Sequence, residues 1–252
     1  MNEMTRRPVA VQLFTLRDAL ANDFVGTLER VAKIGYHGVE LAGYGDLTVR
    51  ELKATLDRLD LKVAGNHVSI EELKNNLDQV IADQKILGNQ FIVCPFVLPE
   101  DRHPDFYQEL AQLLIQVGKQ LKAAGLELCY HNHDFELEQM PNGQTVLAYL
   151  YDQVPAEYLK AELDLYWLQK AGEDPLEWIK RYQDRTALIH LKDMTTDDEQ
   201  FFAELGTGGL DLESILTKGK PEWWIVEQDE SRMDPLESIQ ISYHYLEKRG
   251  IV

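Results

Sequence analysis

Cysteine is scarce: Cys94 and Cys129 are the only two in 252 residues, and both sit inside apolar runs. The chain therefore does not read as a disulfide scaffold, and both thiols read as reduced core residues in a reducing compartment. Positive charge is short as well. Twenty-five Lys and Arg stand against 43 Asp and Glu, leaving a formal charge of -18. Such a field repels polyanions, and no basic stripe is present to hold a phosphate backbone, so nucleic acid is not an expected partner. No window approaches the ~18–20 apolar residues of a membrane span. The opening MNEMTRRPVAVQLF has neither the continuous apolar stretch nor the small-residue cleavage site of a secretory signal. A soluble cytoplasmic protein without membrane attachment is the expectation. The first strand-to-helix turn, FTLRDALAND, lacks a glycine triplet, and no GxxxxGK occurs, which speaks against Rossmann and P-loop nucleotide sites.

What the chain does have is alternation. Eight short β-rich runs begin near residues 9, 38, 62, 90, 126, 160, 186 and 223, and helical material follows each. Helix signals support the pattern. Asp23 precedes a periodic run that Gly35 stops. Ser69 and Glu72 form a capping-box pair opening a run to Leu87, closed by Gly88. Pro104 opens a long helix ended by Gly125, and Asp234 with Pro235 opens the last, ended by Gly250. Eight such units, with no linker or low-complexity tract, predict a single α/β domain over residues 1–252, a (β/α)8 TIM barrel.

In such a barrel, chemistry gathers at the C-terminal strand ends. Strands five to eight end in His131, Asp164, His190 and Glu227, and strand alternation sends all four inward while Tyr130, Leu163, Ile189 and Val226 face the helices. Two imidazoles and two carboxylates converging there make a mixed N/O site for a divalent ion. Singly, each residue has an ordinary role open to it: Asp164 as an acceptor, His190 as a satisfied core histidine, Glu227 as the ion-pair partner of Lys192. Further candidates share the mouth. Glu162, one layer below Asp164, can orient a ligand or pair with Lys192. Lys192 can contact a substrate oxygen, and His133 and His67 can be bases or substrate contacts. Arg17 and Glu40 are weaker substrate-binding candidates, and Trp167, Phe14 and Tyr44 offer faces for a sugar ring.

The segments LCYHNHDFE, ELDLYWLQKAGEDPLEWI, ALIHLKDM followed by LGTGGLDLESIL, and WWIVEQDE resemble the xylose isomerase-like sugar phosphate isomerase/epimerase superfamily, as do VQLFTLRD and NHVSIEEL. The resemblance implies a metal held by Glu, Asp, His and Glu from successive late strands, hence Asp164, His190 and Glu227 here. At the first position this chain has His131. Epimerases of the superfamily also carry a histidine three residues after the aspartate, where Trp167 stands. The implied activity is an isomerase or epimerase that removes a proton beside a sugar carbonyl through an enediolate, with Glu227, His133, Glu162 and Lys192 as candidate catalytic groups. A lyase using the same intermediate competes, on a keto-sugar or 3-keto-glycoside. An abasic-site endonuclease and a non-catalytic binding barrel are remoter readings. The expected cofactor is one divalent ion, Mn, Zn or Co ahead of Mg, and the expected partner a small carbohydrate. A homo-oligomer is left open as a further partner.

Overall fold

The computed structural model describes residues 6–252. The eight apolar runs form eight parallel strands: β1 (Val9–Gln12), β2 (Gly38–Leu41), β3 (Lys62–His67), β4 (Phe91–Cys94), β5 (Glu127–His131), β6 (Lys160–Asp164), β7 (Thr186–Leu191) and β8 (Trp223–Val226). Neighbours in sequence are neighbours in the sheet, and β1 pairs with β8 through Val9–Trp224 and Val11–Val226 to close the ring. Helices lie between the strands, so the expected (β/α)8 TIM barrel is what forms.

Side-chain parity divides the core in two. Val11, Tyr130, Leu163, Ile189 and Val226 face outward and pack with the helices. Ala10, Ala64, Phe91, Val93, Cys129, Leu188 and Ile225 face inward and plug the lower barrel. Both cysteines are free and buried. Above the plug the inward positions become polar and stay buried: Gln12, Glu40, His131, Glu162, Asp164 and His190.

Several strands stop earlier than their apolar runs, and side chains are the cause. Gln12 Oε1 accepts the Phe14 N–H at 3.0 Å and turns the chain into the 3-10 turn Leu13–Leu16. Asp164 Oδ1 accepts from the N–H groups of Tyr166 and Trp167 at 3.1 and 3.2 Å, so the helix Leu165–Lys170 starts at the strand end. The helix expected from Ser69 to Leu87 is two helices, Ile70–Asn75 and Leu77–Leu87. Ser69 Oγ caps Glu72, but the Glu72 carboxylate takes the Asn76 amide at 3.0 and 3.1 Å instead of closing the box. Asn76, a residue that competes with helical backbone bonding, leaves the helical region at φ -131°. Beyond β7, Asp193–Met194 pairs antiparallel with Phe202–Ala203 as a small ribbon over the mouth. Among the described residues no helix is long and apolar enough to cross a membrane.

Candidate active site

The polar layer inside the barrel has two levels. In the lower one, Glu40 on β2 and Glu162 on β6 share two imidazoles. His190 Nε2 lies 2.6 Å from Glu40 Oε2 and 3.4 Å from Glu162 Oε2. His67 Nε2 lies 3.2 and 3.0 Å from the same two oxygens. Gln12 Nε2 also donates to Glu40 Oε2 at 2.8 Å. Burial works against charge on both histidines, but the carboxylates outweigh it. Glu40 and Glu162 raise His67 to about 10, and Glu162, Glu40 and Glu227 hold His190 well above the usual range. Without a metal, the two carboxylates thus hold both imidazoles toward their protonated forms.

The upper level is held by a lysine. Lys192, fully buried, places Nζ 2.7 Å from Asp164 Oδ2, 2.7 Å from Glu227 Oε2 and 2.6 Å from Asp229 Oδ2. Burial opposes its charge, yet Asp164, Asp229 and Glu227 keep it an ammonium. Glu227 also takes His190 Nδ1 at 2.7 Å, and Lys192 and His190 overcome burial to hold its carboxyl well below the usual range. Burial pushes Asp164 up to about 6 despite Lys192. His131 links the levels, with Nδ1 2.9 Å from Glu162 Oε2 and Nε2 3.7 Å from Asp164 Oδ2. Burial and the neighbouring charge of His190 keep it neutral.

This donor set could hold a cation. The ligand atoms of His131, Asp164, His190 and Glu227 lie within 4.8 Å of one another, as do those of His67, His131, Glu162 and His190 below. Around the upper set, the three carboxylates of Asp164, Glu227 and Asp229 outnumber the two cationic groups they face, Lys192 and His190, so the site keeps an excess of negative charge. Two imidazoles with two carboxylates suit a borderline metal.

A cavity of about 610 Å³ opens above, with His67, His131, His133, Trp167 and Glu227 on its wall. The other sequence candidates sit elsewhere. Glu162 and Glu40 lie fully buried beneath, and Glu162 reaches His67 and His131, not Lys192. Arg17 is exposed at the rim, where Nη1 donates to the carbonyls of Phe14 and Asp229 at 3.1 and 2.8 Å. Tyr44 takes amide donors from Gln84 and Asn66.

The family model for the xylose isomerase-like TIM barrel matches residues 28–248. The chain belongs to that family. An inosose dehydratase of Lacticaseibacillus casei is 29% identical over 168 residues, 57% of this chain and 54% of that protein. The chain thus matches only about half the length of that relative. A second inosose dehydratase, from Mesomycoplasma hyopneumoniae, is 23% identical over 266 residues, covering 88% of this chain and 87% of the other. A sugar phosphate isomerase/epimerase from Parabacteroides distasonis superposes with a TM-score of 0.80 at 21% identity, covering 96% and 98% of the two chains. At that identity the likeness speaks for the fold.

(β/α)8 barrels frequently bind phosphate with the loops that follow their seventh and eighth strands, and here LGTGGL follows β7. Its amides are already used. The Asp193 carboxylate accepts from Met194, Gly206, Gly208 and Leu210 N–H at 2.9, 3.0, 3.0 and 3.0 Å. A Cβ at Gly208 would collide with Met194 O and Asp193 itself. An internal carboxylate fills the cradle, so this turn braces the ribbon.

Sequence reasoning missed Asp229, Arg102, Phe96, Phe135 and Glu136. Asp229 was findable, two residues beyond Glu227 at the end of β8. Glu136 is fully buried, with Oε1 accepting from Tyr130 OH at 2.9 Å and Oε2 from the His133 N–H at 2.7 Å. It braces the turn carrying His133, and burial raises its carboxyl to about 8. A carboxyl that stays protonated in the folded state while the unfolded chain ionises loses stability as pH climbs from about 4.3 toward 8. Glu136→Gln removes that slope. Calorimetry should find the variant's Tm equal to or above wild type at pH 8, with the difference shrinking toward pH 5; a pH-independent loss of Tm would show that the carboxyl is needed ionised.

Proposed function

We propose that this protein is a metal-dependent lyase that expels a group β to the ketone of a keto-sugar. The observation that carries the reading is His131. Epimerisation needs a second base to return the proton on the opposite face. Where the family pattern puts that glutamate, this chain has a neutral imidazole wedged between Glu162 and Asp164. Elimination needs only one base and a departing group, and the dehydratase names of the relatives point the same way.

A divalent ion, Mn²⁺, Zn²⁺ or Co²⁺ ahead of Mg²⁺, would be held by His131, Asp164, His190 and Glu227 and would supply Lewis acidity toward the ketone oxygen and its neighbouring hydroxyl. Among the candidate bases, Glu227 is engaged by His190 and Lys192. Glu162 lies below the cavity floor. His133 borders the cavity, its buried Nδ1 has no partner, and burial followed by Lys192 lowers it to about 3. It is therefore a neutral acceptor throughout the physiological range, and a weak one, so the carbon acid must be strongly activated. Trp167 and His67 line the space where a sugar ring would lie. Lys192 acts indirectly, keeping Asp164 and Glu227 anionic.

The test is incubation of metal-loaded protein with keto-sugars and keto-glycosides in D₂O. Elimination releases water or aglycone and forms an enone. Deuterium in recovered, inverted sugar without any leaving group released would overturn the lyase in favour of an epimerase.

His131 has its own test. His131→Ala should lose metal and turnover together, while His131→Glu should keep metal without gaining full epimerase activity. Stoichiometric metal in His131→Ala, with only KM raised, would make the residue a substrate contact instead of a ligand.

A further inference from the structure

The cavity changes character from floor to rim. Its floor is the polar layer already described; its outer half is aromatic. Phe14 and Phe96 stand 44% and 39% exposed at the opening, and the more buried Phe135 and Trp167 also line the cavity. Phe96 and Phe135 meet edge to face at 5.6 Å, and His133 stacks on Phe135 at 5.5 Å. Exposed aromatic side chains continuous with a reactive site mark a ligand surface.

One cation belongs to this outer half. The Arg102 guanidinium lies 3.5 Å over the Phe135 ring and 4.9 Å from Phe96, and its Nε donates to Val97 O at 3.1 Å. Stacking and that hydrogen bond hold it in place. Among the described residues no carboxylate makes an ion pair with it; Glu136 feels its charge but is occupied by Tyr130 and the His133 N–H. An immobilised, unpaired guanidinium beside flat apolar walls is organised for a planar group that carries or acquires negative charge. The 610 Å³ of space exceeds what one sugar ring fills and suits a larger two-part ligand.

We propose that the outer half is a subsite for a phenolic aglycone, an aromatic ring joined through oxygen to the keto-sugar, and that this aglycone is the leaving group. The assignment rests on the elimination reading above. In the step, His133 takes the proton from the carbon beside the ketone. The bond from the next carbon to the aglycone oxygen breaks, its electron pair goes to that oxygen, and a C=C bond forms in conjugation with the ketone. The ring departs as a phenolate whose charge Arg102 receives. No oxidant or reductant enters.

Calorimetric titration tests the subsite without turnover. Purified metal-loaded protein should bind 4-nitrophenyl β-D-glucopyranoside about tenfold or more tightly than methyl β-D-glucopyranoside, and Phe96→Ala and Phe14→Ala should each erase much of that preference. Should either variant fold poorly, Phe96→Leu and the wild-type comparison decide. Arg102→Gln should weaken 4-nitrophenolate while sparing the uncharged glycoside; equal phenolate binding by both proteins removes Arg102 from the assignment. Equal affinity of wild type for aryl and methyl glucosides overturns the subsite. Exchange without elimination in D₂O would sink the lyase while leaving an aryl preference standing, so the two failures are distinguishable.

Discussion

Asp164→Asn should bind divalent metal at least ~100-fold more weakly than wild type while keeping its fold. Loss of an outer-shell partner alone costs about 10–100-fold in metal affinity, and this change removes a charged donor. The two carboxylate oxygens have separate duties. Oδ1 caps the helix Leu165–Lys170 through Tyr166 and Trp167, and an amide oxygen can still accept both bonds. Oδ2 faces the Lys192 ammonium at 2.7 Å, where an amide offers less charge, or, if reversed, a second donor. Metal content by elemental analysis should fall with little change in Tm. Asp164→Ala should lose both metal and cap, with about 1 kcal/mol of stability from the latter. Full occupancy in Asp164→Asn would remove Asp164 from the ligand set. In the wild type the same residue gives a pH signature. Burial raises its carboxyl to about 6, so the anionic donor is present above that value and is lost as pH falls through it. Metal affinity should weaken accordingly on acidification.

The barrel was legible because its signals are local. Alternation in LELCYHN and ALIHLK gives parity, and parity alone brings His131, Asp164, His190 and Glu227 to one side of four adjacent strands. Caps such as Asp23 and stops such as Gly35 act within a turn, so they too are readable. Partner choice at the mouth is another matter. Glu162 was as free, in sequence, to meet Lys192 as to meet His67, 95 positions away. Only the tilt and stagger of the strands place Lys192 among Asp164, Glu227 and Asp229. Arg102 and Phe96 lie on the connection after β4, where no periodicity marks which side chains turn back over the cavity. Nothing in the sequence separates Glu136 from the other 42 acidic residues of the chain. Its burial depends on Tyr130, which faces outward from β5, meeting the returning turn.

Lys192→Met should show how the site balances its charge. Methionine fills most of the volume but leaves Asp164, Glu227 and Asp229 without their ammonium. Removing one partner of a buried ion pair costs about 3–5 kcal/mol, because the remaining charge stays desolvated. For a domain of this size that is a Tm loss on the order of 10 °C in the presence of chelator. The carboxylates have two ways to recover: they can take up protons, or they can take up a cation. Protons should make the loss smaller at acidic pH. A divalent ion should restore more Tm to the variant than it adds to the wild type, since ion and ammonium compete to neutralise the same oxygens and only one competitor remains. The comparison is therefore of Tm in chelator against Tm in millimolar Mn²⁺, for Lys192→Met and wild type side by side. Equal stability in chelator would mean that the ammonium is not the counterion of these carboxylates. A large loss that no divalent ion reverses would instead mean that Asp164, Glu227 and Asp229 need a fixed charge at the Lys192 position and do not share a metal there.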